Sequence, residues 1–131
     1  MPASPWKTLR EVKPEQDYLV QLTYLPLKRY STIFRFLRFT SAIKKQLGCT
    51  EGVVGFSMRA SPLKRDFWTL SVWTDREALL TFTQNAPHGQ IMDALDGHMR
   101  KTAFIEWQIK GSELPPSWED ALKRFAARQA V

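Results

Sequence analysis

The chain reads as an α+β domain of ferredoxin-like order, βαββαβ, with an antiparallel four-stranded sheet and an added C-terminal helix. Three observations predict this. Four segments alternate apolar and polar residues with the period of a half-buried strand. Helical patterns separate the first strand from the second and the third from the fourth. The second and third strands adjoin through a short turn, as a hairpin does. That order places two helices on one face of the sheet.

Residues 1–16 are a polar, Pro-punctuated lead-in, and 17–131 form a single domain. Asp17 to Leu27 is the first strand, with Tyr18, Val20, Leu22 and Tyr24 opposite Leu19, Gln21, Thr23 and Leu25; Pro26 ends it or marks an edge. Tyr30 to Leu47 is helical, with Ser31 or Thr32 as cap and Ile33, Phe34, Phe36, Leu37, Ile43 and Leu47 on the apolar side. Phe34, Phe36 and Phe39 do not share one narrow stripe, so this helix touches two surfaces or walls a cavity. Gly48 is placed to stop it in a left-handed conformation. Glu51 to Ala60 alternates as a strand with Val54, Phe56 and Met58 on one side; Ser61 to Lys64 turns; Arg65 to Trp73 returns with Trp68, Leu70 and Val72 on one side.

Thr74-Asp75-Arg76-Glu77 reads as a capping box, Thr74 answered by Glu77. The helix runs through Leu79, Leu80 and Phe82, pauses at Asn85-Ala86-Pro87 and resumes from His88 to about Met99. Lys101 to Ile109 is the fourth strand. Leu114-Pro115-Pro116 links it to a last helix capped by Ser117 and carrying Trp118, Leu122 and Phe125.

Composition narrows the classes of function. In 131 residues, 44% hydrophobic content with five Trp and eight Phe is enough to bury a core, which excludes disorder. No apolar run approaches the roughly 20 residues of a membrane span, and Met1 to Gln16 lacks the apolar centre of a secretion signal. One cysteine, Cys49, cannot form an internal disulfide, so a reducing cytoplasm is the expected compartment. The charge of +6 is spread over the chain without interleaved exposed aromatics, which argues against nucleic acid as a partner. The six glycines are scattered, so there is no phosphate loop or nucleotide fingerprint.

The alternation separates two sheet faces. One, with Val20, Leu22, Val54, Phe56, Met58, Trp68, Leu70, Val72, Ile105 and Trp107, is almost purely apolar and is expected under the helices. The other, with Gln21, Thr23, Ser57, Arg59, Thr69, Ser71, Trp73 and Glu106, is too apolar for water and too polar for a dry core. A second copy of the chain is expected to cover it, giving a homodimer.

The segment Val72-Trp73-Thr74-Asp75-Arg76-Glu77-Ala78-Leu79, at the junction of third strand and second helix, resembles the antibiotic-biosynthesis-monooxygenase-like superfamily of dimeric α/β barrels. Pro87-His88-Gly89-Gln90-Ile91-Met92 and the closing Trp107 with Glu113-Leu114-Pro115 resemble the branch near spheroidene monooxygenase-like proteins of unknown function. The resemblance implies a monooxygenase-like enzyme acting on a planar aromatic or polyene-type small molecule, with no bound cofactor. Haem-degrading members combine an Asn on the first strand, a second Trp in the helix and a later His. Those places hold Gln21 or Thr23, Phe82 and Ile91 here, which argues against that constellation, although His88 or His98 could ligate iron.

His88, at a helix start, is the candidate base or ligand, against the plainer role of capping residue. Phe34, Trp68, Trp73 and Phe82 are candidate walls for a flat, apolar ligand, and Arg38 with Arg35 could guard the mouth. Arg59 and Glu106 are expected as a pair on the mixed face, orienting a polar group or fixing the dimer register. No His or Cys set has metal-site spacing. Three functions stay open: a cofactor-free oxygenase, a haem-binding oxygenase-like protein, and a non-catalytic small-molecule-binding dimer.

Overall fold

A computed structural model describes residues 5–84 and 88–129. The strands are β1 (Lys7–Thr8), β2 (Asp17–Pro26), β3 (Val53–Ser61), β4 (Asp66–Trp73) and β5 (Ala103–Lys110). The helices are α1 (Ile33–Gly48), α2 (Arg76–Gln84), α3 (His88–Leu95) and α4 (Trp118–Gln129). The sheet order is β1-β3-β4-β2-β5, antiparallel throughout. The four long strands thus have the expected ferredoxin-like arrangement. The lead-in adds β1 as a short edge strand, and Trp6 and Val12 pack against the core.

Four local expectations are corrected. Thr32 makes no side-chain cap for α1. Gly48 is the last residue of α1, and the positive φ falls instead at Gly52 (87°), in the turn entering β3. A Cβ at Gly52 would lie 2.5 Å from the Ala78 Cβ, so the turn needs glycine for space as well as for conformation. At α2 the cap is Asp75 rather than Thr74: its Oδ1 accepts from the Ala78 amide at 2.8 Å. The Ser117 cap of α4 is present, its Oγ accepting from the Asp120 amide at 3.0 Å. The expected pause at Asn85-Ala86-Pro87 lies outside the described residues, and α3 stops at Leu95, short of Met99.

The larger correction concerns the two faces. A bulge between Val53 and Gly55 changes the parity of β3. Phe56 and Met58 therefore pair with Ser71 and Thr69, while Ser57 and Arg59 pair with Leu70 and Trp68. Residues directly opposite in an antiparallel ladder share a face, so Phe56 and Met58 move to the mixed face and Ser57 and Arg59 to the apolar one.

The apolar face (Tyr18, Val20, Leu22, Leu70, Val72, Ile105) is covered by α4 and the lead-in, through Trp118, Leu122, Phe125, Trp6 and Val12. Trp68 stacks on Tyr24 at 4.4 Å and meets Phe125 edge-on at 5.0 Å. The Trp118 indole donates to Ser57 Oγ at 3.1 Å. It is the mixed face that lies under α1, α2 and α3, where Leu19, Phe56 and Trp73 pack with Leu47, Leu79 and Phe82. The chain's own helices occupy the place expected for a second copy.

Candidate functional site

Between the mixed sheet face and helices α1 to α3 lies a cavity of about 680 Å³. Its floor carries Gln21, Thr23, Met58, Thr69 and Ser71; α1 contributes Phe36, Phe39, Ile43 and Leu47; α2 and α3 contribute Leu79, Phe82, Ile91, Met92 and Leu95. The size suits a ligand of a few fused rings, and apolar walls with a few convergent polar groups are what small-molecule sites share. This explains why the floor is mixed: its hydroxyl and amide groups face a cavity instead of a packed core.

The polar floor is ordered by its own hydrogen bonds. Trp73, 1% exposed, donates its indole N–H to Ser71 Oγ at 2.9 Å. Thr23 Oγ1 donates to Gln21 Oε1 at 3.4 Å. Trp73 and Phe82 stand together at 5.1 Å between ring centres, and the His88 ring lies 5.0 Å beyond Phe82.

His88 begins α3 and lines the cavity. Its Nδ1 lies 3.2 Å from the Thr83 carbonyl. A carbonyl only accepts, so Nδ1 carries the proton and Nε2 keeps its lone pair. Burial lowers the imidazole pKa below its ordinary 6.5, and the bond to Thr83 works in the opposite direction. The ring is therefore neutral at pH 7 and able to accept a proton.

Gln46 was not singled out in the sequence. It is a half-buried residue of α1 that follows Lys44 and Lys45 and precedes the buried Leu47. Its Oε1 accepts from the His88 backbone amide at 3.0 Å, and its Nε2 donates to the Phe82 carbonyl at 3.2 Å. One side chain thus ties the end of α2 and the start of α3 to α1, and holds His88 in place.

The rim is formed by exposed residues that also line the cavity: Leu37 and Lys44 on α1, Arg76 and Leu80 on α2, and Phe104 on β5. Arg76 and Glu106 form an ion pair there. The expected Arg59–Glu106 pair does not form, because the bulge turns Arg59 to the other face. Arg59 and Trp68 border the cavity as strand residues, but the ladder places their side chains on the α4 side. Phe34 (81% exposed) and Arg38 are not among the cavity residues, whereas Trp73, Phe82 and His88 are brought together in it. His98 is not among the cavity residues either.

Gln21, Phe82 and Ile91, where the haem degraders would require Asn, Trp and His, all line the cavity. His88 is its one imidazole, and no group of three or more His, Cys, Asp or Glu could hold a metal among the described residues. These residues do not fit a haem site.

The chain shares its α+β fold with solved structures described as monooxygenases. A proposed antibiotic biosynthesis monooxygenase from Nitrosomonas europaea superposes with a TM-score of 0.61 at 16% identity, over 68% of this chain and 95% of that one. A proposed monooxygenase from Fusobacterium nucleatum gives 0.69 at 12% identity, over 82% of this chain but 49% of its own, so this chain spans about half of that protein. SnoaB, a cofactor-independent oxygenase from Streptomyces nogalater, gives 0.59 at 14% identity, over 76% and 99%. No protein-family profile matches the sequence, and no curated protein does.

Proposed function

We propose that the protein is a cofactor-independent oxygenase for a flat, apolar molecule that ionises to an enolate or phenolate. The observation that supports this most is a neutral imidazole, His88, on the wall of an otherwise apolar cavity with a short polar floor. Nε2 takes a proton from the carbon or hydroxyl of the bound substrate. The anion is delocalised over the ring system and gives an electron to dioxygen, and the two recombine as a peroxide. The peroxide recovers the proton and loses water, so one oxygen atom stays in the product and the other leaves as water. The protein's part is to exclude water, hold the ring against Trp73 and Phe82, and move that proton.

Anthrone, whose oxidation to anthraquinone follows this balance, is a suitable probe. Oxygen uptake by the wild-type protein should fall about 100-fold in His88→Ala, within the range of general-base contributions. Unchanged uptake in that variant would remove His88 from the role. The rate should fall as pH drops, with a midpoint below the ordinary imidazole value of 6.5, because burial lowers the pKa of the folded imidazole. The same shift carries over to stability. The unfolded chain takes up this proton first, so folding stability is lost as pH falls from about 6.5 through the lower folded value.

A carrier that binds without turnover is the second reading, favoured by the sparse polar set around His88. Anthrone binding with no oxygen uptake would establish it.

A further inference from the structure

We propose that one end of the molecule is a docking surface for an anionic lipid bilayer, beside the mouth of the cavity. Among the described residues six large apolar side chains are substantially exposed, and four of them, Tyr30, Phe34, Leu37 and Leu63, gather at this end. Tyr30 precedes α1, and Phe34 and Leu37 follow at helical spacing on its surface. The Tyr30 hydroxyl donates to the Leu63 carbonyl at 2.5 Å, which fixes the β3–β4 turn against the start of α1. Phe34 and Leu63 are 81% and 83% exposed, the most exposed of the six.

Basic residues surround these side chains. Lys28 and Arg29 precede Tyr30, Arg38 lies one turn from Phe34, Lys64 follows Leu63, and Lys101 follows Arg100. All are exposed, and none of Lys28, Arg29, Arg38, Lys64 and Lys101 forms an ion pair among the described residues. One nearby carboxylate, Asp66, is engaged by Arg100 at 2.7 Å. Arg65 is held over the Tyr30 ring at 4.8 Å and donates to the Lys28 carbonyl at 2.6 Å, so the patch is braced.

Exposed aromatic and aliphatic tips encircled by unpaired cations match a bilayer interface carrying acidic headgroups. The apolar tips enter the headgroup boundary and the cations meet its negative potential. A polyanion such as RNA would use the cations and gain little from Phe34 and Leu63. The surface runs into the cavity at Leu37, which belongs to both, so an apolar molecule dissolved in the bilayer could pass along it to the cavity. That last step rests on the cavity reading above; the docking itself does not.

The test is flotation of the full chain with vesicles of phosphatidylcholine alone or with added phosphatidylglycerol, at low and high salt. Binding should be at least tenfold stronger on the acidic vesicles and weaken with salt, since each cation brought to an anionic surface contributes about fivefold. Phe34→Ala with Leu63→Ala should reduce it about tenfold, and Arg29→Glu with Lys64→Glu should abolish it. These side chains are exposed, and circular dichroism should show every variant folded. Equal binding to both vesicle types, no binding, or binding that the alanine pair leaves unchanged would overturn the proposal. So would retention on poly(U) without vesicle binding, or loss of the patch to self-association in sedimentation. Anthrone binding by calorimetry should be the same in the alanine pair as in the wild type. Its absence from both would count against the cavity reading alone.

Discussion

Replacing Thr23 by Phe and Thr69 by Trp together should abolish ligand uptake while leaving the fold intact. The two threonines are directly paired on β2 and β4, in the middle of the cavity floor. Aromatic side chains there would project into the space between floor and helices. A cross-strand aromatic pair is well tolerated by an antiparallel sheet, and an open cavity accepts the added volume that a packed core would resist. Affinity for anthrone, measured by calorimetry, should fall at least 100-fold, about 2.7 kcal/mol. The melting temperature should change by only a few degrees. Undiminished binding in this variant would mean that the ligand sits elsewhere.

Trp118→Ala should give a large loss of stability on the opposite side. Trp118 starts α4, packs against the apolar core cluster and donates to Ser57 Oγ at 3.1 Å. Its removal leaves a gap over that cluster and takes one hydrogen bond from Ser57. Fully buried Trp-to-Ala changes cost 3–5 kcal/mol, and Trp118 is half-buried. A loss of about 3 kcal/mol in urea unfolding is expected, with anthrone affinity unchanged. A loss under about 1 kcal/mol would show that α4 is not the cover of this face.

Much of this architecture was legible in the sequence, and the misreadings have physical causes. Alternation located the long strands, because Val20, Leu22, Leu70, Val72 and Ile105 are core residues on one side of the sheet. The wide aromatic spread on α1 indicated more than one surface: Phe36 is buried, Phe39 lines the cavity and Phe34 faces out. The β3 bulge left no mark in the hydrophobic pattern, since Val54, Phe56 and Met58 fit a regular period of two. Its local trace is Gly55, where a Cβ would lie 2.7 Å from the Trp6 ring and 2.8 Å from the Lys7 carbonyl oxygen.

The assignment of faces failed for a more general reason. Hydrophobicity marks the face that packs without gaps, whereas a helix-covered face that encloses a ligand cavity keeps polar groups. Trp73 and Phe82 stand out in the sequence as aromatic residues and His88 as a helix-start histidine, and the fold places all three along one cavity. Gln46, the tie between α1 and His88, depends on a contact 42 residues away that no local spacing reveals.

Cysteine accessibility measures most directly which sheet face bounds the cavity. In a Cys49→Ser background, a small apolar thiol reagent should modify Thr69→Cys readily, and bound anthrone should protect it. Ser57→Cys, beneath Trp118, should react at least 100-fold more slowly and be indifferent to anthrone. Rapid modification of Ser57→Cys with Thr69→Cys inert would contradict the account, because the open space would then lie between the sheet and α4.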